Sequence, residues 1–149
     1  MSVGSLTFES DIPKLIRDVI SGTVVDPISS QRGANDKFVM TSYPSRPVLY
    51  PVITVRGLDI SDASLGLQSE QTVITYPMEV RIWARNETEK DALAGSVYGQ
   101  LRLSQLGASS LVASGLYGFQ RTSSVNIDEG AGQGSVKSRV MEIQYNYIT

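Results

Sequence analysis

Two of the residue types that most often do chemistry are missing: the 149-residue chain has no histidine and no cysteine. That removes thiolate nucleophiles, disulfides, thiolate or imidazole zinc sites, and the Ser-His-Asp and Cys-His arrangements together. Carboxylates remain. Asp59, Asp62, Glu70 and Glu79 lie near one another in sequence and could supply an acid and a base for glycoside hydrolysis, but nothing singles out a pair. The competing reading is that they are solvated charges on a loop and a strand face.

Three further patterns invite chemistry. Asp128-Glu-Gly-Ala-Gly-Gln-Gly134 has the glycines of a phosphate cradle, yet it lacks the Gly-Lys-Ser/Thr ending, precedes a strand pattern and carries acids that repel phosphate. Its oxygen ligands are too few and too irregular for calcium, so it reads as a flexible hairpin tip that touches a partner or none. Asn86-Glu-Thr matches a glycosylation sequon, but with no secretory signal the acceptor would not meet the transferase, and the helix-cap reading is preferred. Trp83 shares a strand face with Arg81 and Arg85, residue types enriched where protein surfaces bury each other. A core-facing Trp83 is the alternative. No catalytic residue, metal ligand or cofactor is assigned.

The elements that would position these residues follow from periodicity. Ser10 or Asp11 caps a helix of roughly ten residues whose apolar stripe is Ile12, Leu15, Ile16, Val19 and Ile20, with Pro13 in the first turn and Gly22 as the stop. Thr23-Val-Val, Phe38 to Tyr43 and Val52 to Arg56 are β-prone, the last ended by Gly57. Leu58 to Ser69 has no clean period and predicts a mobile or partner-ordered loop. From Gln71 to Arg85, Met78, Val80, Ile82 and Ala84 alternate with Glu79, Arg81, Trp83 and Arg85, the period of a strand with one buried face. Pro77 inside it predicts an edge position or a bulge.

Asn86-Glu-Thr-Glu89 is a capping-box start for a second helix with Leu93, Ala94, Val97, Tyr98 and Leu101 on its apolar face and Gly107 at its close. Gly95 and Gly99 inside that helix cost roughly 1 kcal/mol each relative to alanine, which predicts close approach by the sheet or a neighbouring subunit. Leu116 to Ile127 and Val136 to Ile148 complete the pattern as two strands. The expected class is α+β, a mixed, mostly antiparallel sheet packed by two amphipathic helices in a single domain over 1–149.

Composition narrows the function classes. Apolar residues at 41% and charged residues at 19% are globular values. Thirteen basic against 15 acidic residues give a net charge of −2, and no basic run exists to neutralise a phosphate backbone, which argues against direct nucleic-acid binding. Neither a secretory leader nor a stretch of eighteen apolar residues is present, so no membrane partner is expected.

Ile12-Pro-Lys-Leu-Ile-Arg-Asp-Val-Ile, then Tyr50-Pro-Val-Ile-Thr-Val, then Met78-Glu-Val-Arg-Ile-Trp-Ala followed directly by a capped helix, resemble in order and style the tail terminator or tail completion proteins of tailed viruses. The resemblance spans most of the chain and includes no diagnostic motif. It implies a virion protein, assembled in the host cytoplasm, that forms a homo-oligomeric ring, usually a hexamer, on the head-proximal end of the tail tube. One ring face would match the tail tube protein, the other a neck or head-closure protein, and DNA would pass through the lumen without specific binding.

Under that implication Leu58, Ile60, Leu65 and Leu67, with Asp128 and Glu129 of the tip, are candidate contact residues beside Arg81, Trp83 and Arg85, because apolar residues in an irregular loop are poorly explained by a monomer. Two alternatives stand. One is another ring component of the same particle, a head-closure protein or a tube subunit, although tube subunits tend toward more strand and one helix. The other is an enzyme that uses carboxylates or hydroxyls alone.

Overall fold

A computed structural model of the chain describes residues 8–33, 36–43, 49–58, 60–64, 72–105, 111, 114–129 and 136–148; at 8, 61–64, 128, 129 and 148 the description is of the backbone. The fold is α+β. Helix α1 spans Phe8–Thr23 and α2 spans Glu87–Leu103; the strands are β1 Val39–Met40, β2 Val52–Gly57, β3 Ser61–Ser64, β4 Thr72–Ala84, β5 Leu116–Glu129 and β6 Val136–Ile148. They form one sheet in the order β1-β2-β4-β6-β5, with β3 also on β4. Every pairing is antiparallel except β1 with β2.

Both helices pack on the same face of the sheet and on each other. The reason is their apolar stripes. Ile12, Leu15, Ile16 and Ile20 of α1 and Leu93, Ala94, Val97 and Leu101 of α2 are buried in a single core with Ile53 and Val55 of β2, Met78, Val80 and Ile82 of β4, and Met141, Ile143 and Tyr145 of β6. The Tyr76 hydroxyl donates to the Glu9 carbonyl at 2.6 Å and pins the first turn of α1 to β4. Burial, and then the field of Glu9, holds the Tyr76 hydroxyl above the ordinary tyrosine range, so it stays a donor.

Several expectations are corrected. Helix α1 is longer than the roughly ten residues expected: it begins before Ser10 and runs through Gly22 to Thr23, and Pro13 is buried inside it. Thr23-Val-Val forms no strand, because the helix consumes Thr23 and Val24 donates to the Ile20 carbonyl as the chain leaves it. The first part of the loop expected at Leu58 to Ser69 contains β3, held by backbone pairing to β4 that apolar periodicity does not report. Glu89 does reach back, but to the Arg85 amide at 3.2 Å and not to the cap residue's own amide. The Asn86 side chain caps as expected, accepting from the Glu89 amide at 2.8 Å. Gly107 lies outside the described residues.

Pro77 is the informative correction. It sits in the central strand β4 with its register to β6 unbroken, opposite Gln144. In an antiparallel ladder the N–H and C=O of one residue point to the same neighbour. The Pro77 carbonyl accepts from the Leu58 amide at 2.9 Å, on the side where β2 has ended at Gly57 and β3 starts only at Ser61. The missing N–H therefore falls in the break between two successive neighbours, a local edge inside a central strand.

Candidate protein-interaction surface

Directly paired residues of an antiparallel sheet share a face. The row Val52, Trp83, Ser138 and Ile127 and the next row Thr54, Arg81, Val140 and Val125 therefore stand on the face that the helices leave open. A third row, Arg56, Glu79, Glu142 and Ser123, is polar, and Arg56 pairs with Glu79 at 3.0 Å. Of the carboxylates considered for acid–base work, Glu79 is thus held in an ion pair, Asp62 lies in β3, and Asp59 and Glu70 lie outside the described residues.

Trp83 is on this open face and yet only 9% exposed. Its cover is local. The Tyr43 ring lies 4.9 Å from it, tilted by 56°, and the Arg81 guanidinium lies 4.7 Å from the ring centroid. Tyr43 is fastened in turn, its hydroxyl 2.6 Å from that of Tyr50. Partial burial, and then that hydrogen bond, push the Tyr43 phenol up to about 12, so it is neutral at physiological pH. Arg81 also reaches the Ser138 hydroxyl at 3.5 Å, and Ser138 donates to the Ile127 carbonyl at 3.1 Å. The result is an aromatic and arginine patch in which Tyr43 is 44% and the neighbouring Val125 54% exposed.

The structure brings together Arg81 and Trp83 but not Arg85. Strand β4 ends at Ala84, and the Arg85 side chain turns to Glu89 at 2.5 Å at the start of α2. Leu58 is half-buried beside Pro77, and Ile60 packs against the core. Leu65 and Leu67 lie outside the described residues. Asp128 and Glu129 are not in a tip but are the last two residues of β5, opposite Lys137 and Val136.

Tyr43 was missed by sequence reasoning, since nothing in Phe38 to Tyr43 signals which residue would fold across a strand from a later segment. Two buried charges were also missed. Arg32 is clamped between Asp26 at 2.5 Å, the Leu49 carbonyl at 2.9 Å and the Pro51 carbonyl, which ties the chain before β1 to the entry of β2. Lys90 is buried on α2, its ammonium 2.6 Å from Glu87, and that hydrogen bond holds the Glu87 carboxyl below its usual range. Among the described residues no group of three or more metal-ligating side chains converges, and no helix is long and apolar enough to cross a membrane. No family model matches the sequence, and no curated protein is significantly similar to it.

Proposed function

We propose that the chain is a structural virion protein that assembles into a ring at the head-proximal end of a viral tail tube, ends tube growth there and joins tail to neck. The observation that carries this reading is the open sheet face with its preorganised Trp83, Tyr43 and Arg81 patch. A rigid aromatic anchor beside an arginine is the composition of a protein-binding centre. The contacts of Tyr43 with Trp83 and Tyr50 would lower the entropy cost of using it. The sequence resemblance supplies the class of partner: copies of the same chain, a tail tube protein and a neck protein.

Binding alone performs this task. A heterologous contact repeated around an axis closes a ring, one ring face matches the last layer of the tube, and the other cannot accept a further tube subunit. The first test is the native mass of the purified chain over a concentration series, with electron microscopy of the same sample and a capping assay on tail tubes. Closed rings near six copies that stop tube extension are expected. Long tubes made of this chain alone would move it to the tube-subunit class, and a monomer that neither closes rings nor caps tubes would overturn the reading.

A further inference from the structure

The salt bridges of this molecule pass over two arginines. Arg17, Arg32, Arg56, Arg85 and Arg139 each hold a carboxylate oxygen, and Arg81 lies over Trp83. Arg102, in the last turn of α2, and Arg121, on β5, pair with no carboxylate among the described residues. Both line one groove, with Tyr98, Phe119, Gln120 and Thr122. Register breaks shape it. Strand β5 gains a residue on β6 between Tyr117 and Gln120 and another between Arg121 and Ser123, and Gly118 takes a φ of 64° in the first. Such bulges re-aim the side chains that follow. Here the first one puts Phe119, not Gly118, on the helix side of the sheet, 5.9 Å from the Tyr98 ring, and the Arg121 guanidinium lies 4.0 Å from the centroid of that same ring.

The hydrogen bonds around the groove leave it a set of donors. Gln144 donates to the Gln120 side-chain oxygen at 2.8 Å, and Thr122 spends its hydroxyl proton on the Glu142 carbonyl at 3.3 Å, so the Gln120 amide N–H groups and the two guanidiniums remain. We propose that this groove is a binding site for a side-chain carboxylate, an aspartate or glutamate presented by a protein partner. The planar fork of Arg121, supported by Tyr98, fits a carboxylate or a phosphate. The surroundings choose between them. Leu103 is 60% exposed next to Arg102, and Tyr117 is exposed two residues before Phe119. Apolar and aromatic surface beside the charges gives a polypeptide something to bury and gives a phosphate nothing. A nucleic-acid strand is disfavoured, because two cations in a chain of net charge −2 make no track along a phosphate backbone. The inference does not depend on ring formation, since it names the chemistry that one surface takes, whichever protein brings it.

The test titrates the full chain with acetyl-Leu-Asp-Leu-Glu-Leu-amide, with the same peptide carrying Asn and Gln for its acids, and with inorganic phosphate, following the arginine Nε–H resonances by NMR. The acidic peptide is expected to shift the Arg102 and Arg121 resonances and to saturate at millimolar concentration, while the neutral peptide moves neither. Arg102→Gln and Arg121→Gln, each shown to fold by a thermal melt, should weaken the acidic peptide about tenfold, the scale of one hydrogen-bonded contact to a charged group. Equal binding of the neutral peptide, tighter binding of phosphate than of the acidic peptide, or no shift with any of the three overturns the proposal. A chain that forms no rings and still shows the shifts loses the ring reading and keeps the groove; rings without the shifts do the reverse.

Discussion

The ring of Tyr43, just past β1, lies 4.9 Å from that of Trp83 near the end of β4, and so closes the sheet's open face over the only tryptophan. Tyr43→Ala opens that cover. It is expected to shift Trp83 emission to the red and to lower stability by about 1 kcal/mol, the scale of an aromatic pair beyond its buried area. An unchanged emission maximum and unfolding midpoint would show that the pair does not hold the segment.

The same pair makes the patch sensitive to alkali. Partial burial and the Tyr50 hydrogen bond raise the Tyr43 phenol from 10 in the unfolded chain to about 12 in the folded one. The protonated form is the one the fold favours, so the stability it adds is complete below about pH 10 and is lost as pH rises through about 12. Fluorescence of Trp83 titrated over that window should show a step in the wild type that Tyr43→Phe lacks.

At the start of α2 the sign is reversed. The hydrogen bond from Arg85, against partial burial, holds the Glu89 carboxyl below its usual range. Its contribution is present above the ordinary glutamate value of about 4.3 and fades as pH falls through the lowered one. Asn86→Ala, which removes the cap on the Glu89 amide, should cost about 1 kcal/mol in a denaturant titration at neutral pH. Glu89→Gln should leave neutral stability slightly lower and flatten its decline as pH falls below about 4.3.

Gly57 has no room for a side chain. A Cβ there would stand 2.5 Å from the Tyr76 hydroxyl, which is buried and committed to the Glu9 carbonyl. Gly57→Ala should cost about 1–3 kcal/mol by overpacking, and Gly57→Ala with Tyr76→Phe should recover part of it. Additive losses in that double-mutant cycle would show that the two positions do not compete for the same space.

Gly95 and Gly99 present the opposite case. A Cβ at either would meet nothing within 4 Å beyond the helix's own backbone, so packing on the sheet does not account for them. Each should gain roughly 1 kcal/mol of monomer stability on replacement by alanine, from helix propensity alone. Urea unfolding of the two variants measures this, and a loss of stability would mean that the helix interior is tighter than its open outer face indicates.

Which parts of this protein are written in the chain, and which are not, divides along the range of the interactions. Ile12, Leu15, Ile16 and Ile20 mark α1 by spacing alone, and Met78, Val80 and Ile82 mark the buried face of β4, because a helix stripe or a strand alternation is a local property that a large core must produce. The Asn86 cap is equally local. The ends of α1 and the existence of β3 are not, since backbone pairing and packing decide them. Pro77 lies in a central strand because two different neighbours happen to break at its missing donor, a coincidence of long-range register.

For the surface, the residues spoke to Trp83 and Arg81 as a pair on one face. Only the folded chain assigned Tyr43 as their cover and separated Arg85 from them. It alone also placed Arg102 and Arg121 in the lining of one groove. Composition counts the 13 basic residues and 15 acidic ones, but not which of them find each other. Periodicity distinguishes two faces of a strand only by what one of them buries, and it cannot name the distant segment that folds across the other.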